Sequence, residues 1–195
     1  MSKIIAIMLL LCCGMMLFGC ADDNGRRKAE QQKTIVVTDS VGRKVELPYP
    51  LERVAVCNVY NAELITAVGA IDKIVGVDNY IFKDQSGFKN RFNEAQVFGI
   101  SQNAMNYEKL AELSPQAVII TGEGTWRDAQ EMLDRFGIKV IVINSYYTDQ
   151  FADNCRLIGR IFGREEQAEE LVNYFNDKLA YIQKQLQGVP RRSLY

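Results

Sequence analysis

Four short apolar runs, separated by segments with helical periodicity, constrain the fold of this chain more than any other feature of its sequence. The runs lie at 54–57, 74–77, 117–121 and 140–143. Each run is continuous rather than alternating, which is typical of strands that are covered on both faces. We predict helices over 61–68, 107–113, 126–136 and 148–162. This order predicts parallel βαβ units, and therefore a three-layer, Rossmann-like α/β lobe with a mostly parallel sheet.

Two further elements flank this pattern. Thr34–Thr38 is rich in β-branched residues and Arg43–Leu47 alternates polar with apolar residues, so we predict an N-terminal β-hairpin that ends at Pro48. From Arg164 to Gln187, apolar residues recur every three or four positions, which predicts one long helix of about 36 Å. We assign 34–163 to the lobe and 164–188 to this helix.

The composition excludes several kinds of site. The chain has no histidine, which rules out a Ser-His-Asp triad, histidine-ligated zinc and a histidine proton shuttle. Its formal net charge is −1 and it has no long Lys/Arg run, so we expect no nucleic-acid partner. The sequence also lacks a tight cluster of Tyr and carboxylates, a Gly-rich phosphate loop and paired catalytic carboxylates. We therefore predict no metal site and no cofactor.

The first residues predict export. An apolar run at 4–18 follows Lys3, which suits a signal peptide, and it is shorter than the roughly 20 residues of a membrane span. Leu17–Cys20 resembles a bacterial lipobox, so we predict a signal peptide over 1–19, a lipid-modified Cys20 and a membrane-anchored lipoprotein of the cell envelope. A simple secretory leader and an uncleaved anchor are the alternatives. Residues 20–33 hold almost no apolar bulk, which predicts a flexible tether.

Two cysteines remain beyond the predicted leader and its lipidation site. Cys57 ends an apolar strand, and Cys155 falls within a helical pattern 98 positions further on. A disulfide in an oxidising compartment is one interpretation, and a reactive thiol is another. We favour two buried free thiols, because an isolated pair does not form a disulfide framework and free cysteine behaves as a small apolar residue.

A series of short motifs runs in a fixed order along the predicted lobe. They are Asp39–Val45 with Leu47-Pro48, Glu52–Val56, Ala67–Ala70 with Ile74–Val77, and Asn106–Leu110 with Leu113–Ile119. Their order resembles the N-terminal part of bacterial ABC-transporter solute-binding proteins, in the group that binds iron-siderophores, haem or cobalamin. The predicted long helix resembles the rigid helix that joins the two lobes of those proteins.

The resemblance implies a binding protein that carries out no chemistry. Its ligand would be an iron-siderophore, cobalamin or haem-like chelate, and its partner an ABC permease in the membrane. Proteins of this group have two lobes of similar size, and 189–195 resembles the start of the second. The second lobe is otherwise absent, so the resemblance implies a truncated product, a fragment or a one-lobed variant.

The loops that follow the predicted strands supply the candidate binding residues, because ligands of parallel sheets bind at the carboxyl ends of strands. A bulky chelate needs flat aromatic surface and a few hydrogen-bonding groups. The candidates are Asn58, Tyr60, Asn61, Tyr80, Ser101, Gln102, Thr125, Trp126 and Tyr146. Turn formation and helix capping are the competing interpretation for the polar candidates, and packing is the competing interpretation for the aromatic ones. Glu123 is interpreted as a solvated loop charge.

Two candidates also rest on the resemblance. Tyr80 occupies a position that resembles a ligand-contacting aromatic residue of the family. Glu108 resembles a surface glutamate that docks the lobe onto arginines of the permease, and a carboxylate there would favour fast, correctly oriented association. The alternative for Glu108 is a first-turn glutamate that is favoured by the helix dipole.

Two other functions stay open at the level of sequence. One is a one-lobed exported interaction protein that pairs with a separate second lobe or with itself. The other is an exported α/β enzyme, which in the absence of histidine would need Cys57 or a carboxylate as its reactive group.

Overall fold

A four-stranded parallel sheet and a separate two-stranded hairpin make up the β-structure of the computed structural model, which describes residues 33–189. The strands are β1 (Thr34–Thr38), β2 (Lys44–Pro48), β3 (Val54–Val56), β4 (Ile74–Val77), β5 (Ala117–Ile120) and β6 (Lys139–Val142). β1 and β2 pair antiparallel, and the parallel sheet has the order β4-β3-β5-β6. The predicted signal peptide, lipidated Cys20, nearly all of the tether and residues 190–195 lie outside the described residues.

Helices connect and follow the parallel strands. They are α1 (Val59–Ala67), α2 (Asn79–Lys83), α3 (Tyr107–Leu113), α4 (Trp126–Asp134), α5 (Phe151–Phe162) and α6 (Glu165–Gln185). Short 3₁₀ helices lie at Ile71–Lys73, Glu94–Gln96 and Thr148–Gln150. Over residues 33–189, none of these helices combines the length and the apolar character that crossing a membrane requires.

The alternation of side chains along each strand builds a core on both faces of the parallel sheet. Val54 and Val56 point into a cluster that is completed by α1, α5 and the first turns of α6. The residues between and after them, Ala55 and Cys57, point into a second cluster that is completed by α3 and α4. Successive side chains of a strand lie on opposite faces, so continuous apolar runs need two cores. The predicted three-layer α/β fold is confirmed, as are the hairpin and the long helix.

The predicted helix at 148–162 and the segment after β4 differ from the sequence-based expectation. The former begins with a 3₁₀ turn and becomes α-helical only from Phe151. The latter contains the five-residue helix α2, which we did not predict. The Asp78 carboxylate caps this helix by accepting a hydrogen bond from the Ile81 N–H at 2.9 Å. A helix this short carries too little periodicity to be recognised in a sequence.

The turn of the hairpin docks on the edge strand β6. The Ser40 N–H donates to the Val142 carbonyl at 2.9 Å, and the Val142 N–H donates to the Asp39 carboxylate at 3.3 Å. Asp39 is buried and forms an ion pair with Arg43 at 2.6 Å. The hairpin therefore covers an edge that would otherwise present unpaired backbone groups.

The long helix α6 is packed at its start and exposed further on. Ala168 and Val172 are buried, and the ring of Phe175 stacks on that of Phe151 with centroids 4.1 Å apart. Beyond that point Leu179, Ile182 and Leu186 are exposed. The second half of the apolar stripe therefore has no partner among residues 33–189.

Candidate ligand-binding site

A cavity of about 580 Å³ opens at the carboxyl ends of β3, β4 and β5. Its lining comes from the segments that follow these strands, from the first turns of α1 and from the loop between β4 and α3. The lining residues are Cys57, Asn58, Val59, Tyr60, Glu63, Asp78, Tyr80, Ser101, Gln102, Asn103, Thr121 and Glu123. This is the edge at which open parallel sheets bind ligands.

Asn58 and Asp78 tie the first two strand ends together at the cavity. The Asn58 N–H donates to the Asp78 carboxylate at 3.0 Å, and the Asn58 side chain accepts from the Tyr60 N–H at 2.9 Å. Asn58 has a φ of 77° and a ψ of 126°, a positive-φ conformation that is strained for any residue other than glycine. Its strained backbone turns the chain sharply from β3 into α1 and directs Tyr60 to the rim of the cavity.

Gln102 holds the neighbouring loop on the end of β5. Its side-chain oxygen accepts from the Thr121 N–H at 2.9 Å and from the Thr121 hydroxyl at 2.8 Å. Its side-chain amide donates to the Glu123 carbonyl. Within the same loop, Gly99 faces the Ala104 backbone so closely that any side chain at this position would collide with it. The loop is thus fixed where Ser101 and Asn103 reach the cavity.

Two tyrosine rings line the cavity and are exposed to solvent. Tyr60 is 55% exposed and Tyr80 is 63% exposed, although both are large and partly apolar. Exposed aromatic side chains at a cavity mark a surface on which a ligand can pack.

The ionisable groups of the lining are acidic or neutral. Burial raises the pKa of Asp78, although hydrogen bonds from backbone N–H groups oppose this effect. Burial, with a smaller contribution from the Asp78 charge, raises the pKa of the Cys57 thiol well above its usual value. Cys57 and Cys155 are both buried free thiols. Within residues 33–189, no three Cys, Asp or Glu side chains converge as metal ligands.

The structure brings five of the predicted binding residues to the cavity and places the other four outside its lining. Those in the lining are Asn58, Tyr60, Tyr80, Ser101 and Gln102. Those outside it are Asn61, Thr125, Trp126 and Tyr146.

Asn61 and Trp126 lie outside because they are buried in packing. The Asn61 amide donates to the Cys57 carbonyl at 3.2 Å, and its oxygen accepts from the Ser145 hydroxyl at 2.6 Å. The Trp126 ring lies under the guanidinium groups of Arg43 and Arg127, at 4.3 and 4.1 Å from the centroid.

Thr125 and Tyr146 contact residues of the lining instead. Thr125 is exposed, and its hydroxyl lies 3.5 Å from the Asn103 side-chain oxygen. The Tyr146 hydroxyl donates to Glu123 at 3.1 Å, and its ring packs against Tyr147 with centroids 4.4 Å apart. Both residues therefore contact the lining without belonging to it.

Sequence reasoning did not assign Glu63, Asp78 or Thr121 to the site. Asp78 and Thr121 directly follow β4 and β5, so the same strand-end argument that selected Asn58 could have selected them. Glu63 follows Tyr60 by three positions on α1, a spacing that puts both side chains on one side of a helix.

Glu108, the predicted docking residue, lies away from the cavity lining, in the first turn of α3. It is exposed and forms no ion pair with another described residue. The Asn106 side chain caps α3 by accepting from the Lys109 N–H at 2.9 Å. This cap fixes the helix end from which Glu108 projects.

Comparison of the sequence with protein-family models identifies its class. The family described as periplasmic binding protein matches residues 54–195. The chain belongs to this family. Membership implies an exported, periplasmic protein, and it agrees with the resemblance seen in the motifs between β1 and β5. A comparison with curated proteins found no match.

Solved structures of binding proteins have the same fold. A periplasmic solute-binding protein from Veillonella parvula is 28% identical, with a TM-score of 0.66 over 82% of this chain and 50% of its own. The petrobactin-binding protein YclQ from Bacillus subtilis is 17% identical, with a TM-score of 0.69 over 82% and 56%. The molybdate-binding protein MolA of a Haemophilus influenzae ABC transporter is 20% identical, with a TM-score of 0.70 over 80% and 55%. The chain thus spans about half the length of these structures.

Proposed function

We propose that this chain is the ligand-binding component of an ABC importer and that it captures an iron-siderophore, cobalamin or related chelate. The observation that carries the proposal is the cavity of about 580 Å³ with two exposed tyrosines, Tyr60 and Tyr80, in its lining. Cavities of about 300–1,000 Å³ suit organic ligands of moderate size, and flat rings suit the apolar surfaces of chelates and macrocycles. A small oxyanion would leave most of this volume and both rings unused.

The comparisons support a role in uptake. One structurally similar protein binds petrobactin, and another binds molybdate as the cognate binding protein of an ABC transporter. Their ligands differ, so the ligand of this chain has to be argued from its own cavity.

The test is a titration of the full chain with a ferric trihydroxamate, a ferric catecholate, haem and cyanocobalamin. Trp126 is the only tryptophan, and these chelates absorb light, so a bound chelate should quench its fluorescence. Calorimetry under the same conditions separates binding from absorption by free ligand. No response to any of the four chelates up to millimolar concentration would refute the proposal.

We also propose that Glu108 contributes to docking on the permease. It is an exposed carboxylate in the first turn of α3, outside the cavity lining, and an arginine on a partner could pair with it. Glu108→Arg should weaken association with the permease and slow uptake, while the affinity for the chelate stays unchanged. Glu112→Arg on the same helix is the matched control. Unchanged uptake by the Glu108 variant would remove this residue from the interface.

We propose further that the protein carries out no chemistry on its ligand. Cys57 is the one thiol in the cavity lining, and burial keeps it protonated near neutral pH by raising its pKa. Recovery of an altered chelate after incubation with the protein, but not with Cys57→Ser, would favour the enzyme alternative.

One observation favours the second candidate, a one-lobed interaction protein. The side chains of Leu179 and Ile182 on α6, and of Leu186 directly after it, are 41%, 49% and 57% exposed. A second copy or a separate lobe could cover this stripe. Light scattering over a wide concentration range tests self-association, and a strict monomer at every concentration would argue against pairing with itself.

A further inference from the structure

We infer that this lobe selects chelates that present positive charge to it and discriminates against oxyanions and polyanionic chelates. The inference rests on the proposed function, because it assigns the charge of the ligand that the cavity would bind. It follows from where the backbone donors, cations and carboxylates of the described residues lie.

The chain's own side chains occupy one backbone donor at the start of α1 and one at the start of α2, whereas α4 has no side-chain cap. Helix N-termini at the carboxyl edge of a parallel sheet are common anion sites, because their first N–H groups are free. Here the Tyr60 N–H of α1 donates to Asn58, and the Ile81 N–H of α2 donates to Asp78.

The backbone N–H groups at the strand ends also donate to side chains of the lobe itself. The Asn58 N–H is bound to Asp78, the Thr121 N–H to Gln102 and the Gly122 N–H to Asn144, at 3.0, 2.9 and 2.7 Å. An oxyanion in the cavity could bind these five N–H groups only by displacing their internal acceptors.

The basic side chains of the described residues lie elsewhere. None of the residues that line the cavity is Lys or Arg. Several of the basic residues form ion pairs on other surfaces: Arg43 with Asp39, Lys73 with Glu52, Lys109 with Glu112, and Arg156 with Glu169. An anionic ligand would therefore meet no compensating charge in the cavity lining.

The lining instead carries carboxylates and tyrosine faces. Glu63 is exposed and has no ion-pair partner among the described residues, so its charge is available to a ligand. Asp78 is a second carboxylate of the lining, but it is buried and accepts hydrogen bonds from two backbone N–H groups, so Glu63 is the carboxylate that a ligand can approach. The exposed rings of Tyr60 and Tyr80 attract cations through their π-faces. Two independent features of the same cavity thus favour positive charge.

The experiment compares chelates that share one metal-binding core and differ in charge. The full chain is titrated by calorimetry with a linear ferric trihydroxamate that bears a free primary amine, with its neutral N-acetyl derivative and with its anionic N-succinyl derivative. The cationic aquo and neutral cyano forms of cobalamin give a second matched pair, and molybdate tests a bare oxyanion. At low ionic strength the cationic chelate should bind roughly tenfold more tightly than its anionic counterpart, and high salt should reduce this ratio.

Glu63→Gln removes one negative charge from the cavity with little change of shape. It should lower the preference for the cationic over the anionic chelate by about three- to tenfold. Glu131→Gln removes the same charge from an exposed position on α4 outside the lining, and it should leave the preference unchanged. Circular dichroism of both variants checks that the fold is retained.

The outcomes separate this inference from the proposed function. Equal affinities, tighter binding of the anionic derivative or of molybdate, or binding of haem while no cationic chelate binds would each overturn the inference and leave an importer role standing. An unchanged preference in Glu63→Gln would also overturn it. Failure of every chelate to bind, haem included, would overturn the proposed function as well.

Discussion

Two corners of the lobe hold similar residues and use them differently. The open corner, at the ends of β3 and β4, consists of Asn58, Tyr60, Asp78 and Tyr80. The closed corner, where the hairpin turn meets β6 and α4, consists of Asp39, Arg43 and Trp126. Each combines a buried aspartate with aromatic rings, yet the tyrosines of the first are exposed, whereas Trp126 is buried.

The difference lies in where the partners come from. In the open corner, Asp78 and Asn58 bind backbone groups of their own strand ends, and the rings are left uncovered. In the closed corner, Arg43 reaches across the lobe to Gln130 and to the Val140 carbonyl while its guanidinium covers the Trp126 ring. Hydrogen bonds to the backbone shape the open corner without covering its rings, whereas the Arg43 side chain from another part of the chain covers the ring of the closed corner.

Breaking the closed corner should cost the most stability. In Asp39→Ala, Arg43 loses its ion-pair partner, and the N–H groups of Val41, Arg43 and Val142 lose their acceptor. We expect the free energy of unfolding to fall by about 3–5 kcal/mol, because buried donors and a partly buried cation are left unpaired.

Urea denaturation measures this loss, and Tyr80→Ala in the open corner is the comparison. Tyr80 is 63% exposed, so its removal should change stability by about 0.5 kcal/mol or less. Similar losses in the two variants would contradict the distinction between the corners.

A substitution in the strained turn of the open corner should lower the free energy of unfolding by a smaller amount. Asn58→Ala removes the cap of α1 and leaves, at a φ of 77°, a residue that lacks the local hydrogen bond by which asparagine offsets the strain. The cap and the backbone conformation each contribute about 1 kcal/mol, so we expect a loss of about 2 kcal/mol.

Asn58→Gly separates the two contributions. Glycine adopts a positive φ without strain and is nearly as good as asparagine at a helix N-terminus, so this variant should lose only a few tenths of a kcal/mol. Equal losses for Ala and Gly in urea denaturation would mean that backbone strain at Asn58 has no part in the turn.

The contrast between the corners also explains which predictions from sequence succeeded. The buried run at 74–77 and the helix at 107–113 coincide with β4 and α3, because continuous apolar strands and capped helices are local patterns. The strand-end argument likewise placed Tyr60 and Tyr80, since their position depends on the segments directly after β3 and β4.

Trp126 shows why the argument does not extend to every strand end. It follows β5 much as Tyr60 follows β3, and no local feature distinguishes the two. Its ring is covered by Arg43, which is 83 positions earlier in the chain and reaches it only because the hairpin docks on β6. Such a contact depends on tertiary packing, which single-sequence patterns do not contain.

The affinity for a chelate should fall most when Tyr80 of the open corner loses its ring, and least when Tyr146, which only contacts the lining, loses its hydroxyl. Tyr80→Ala removes an exposed ring from the lining, and we expect about a tenfold loss of affinity, whereas Tyr80→Phe keeps the ring and should lose about threefold or less.

Tyr146→Phe removes only a hydroxyl that donates to Glu123 from outside the lining. Its effect on affinity should stay within about twofold, because one exposed hydrogen bond contributes little. Calorimetry with the best-bound chelate measures all three variants. If Tyr146→Phe weakened binding as much as Tyr80→Ala, the ligand would contact Tyr146 directly, and the binding surface would extend beyond the open corner toward β6.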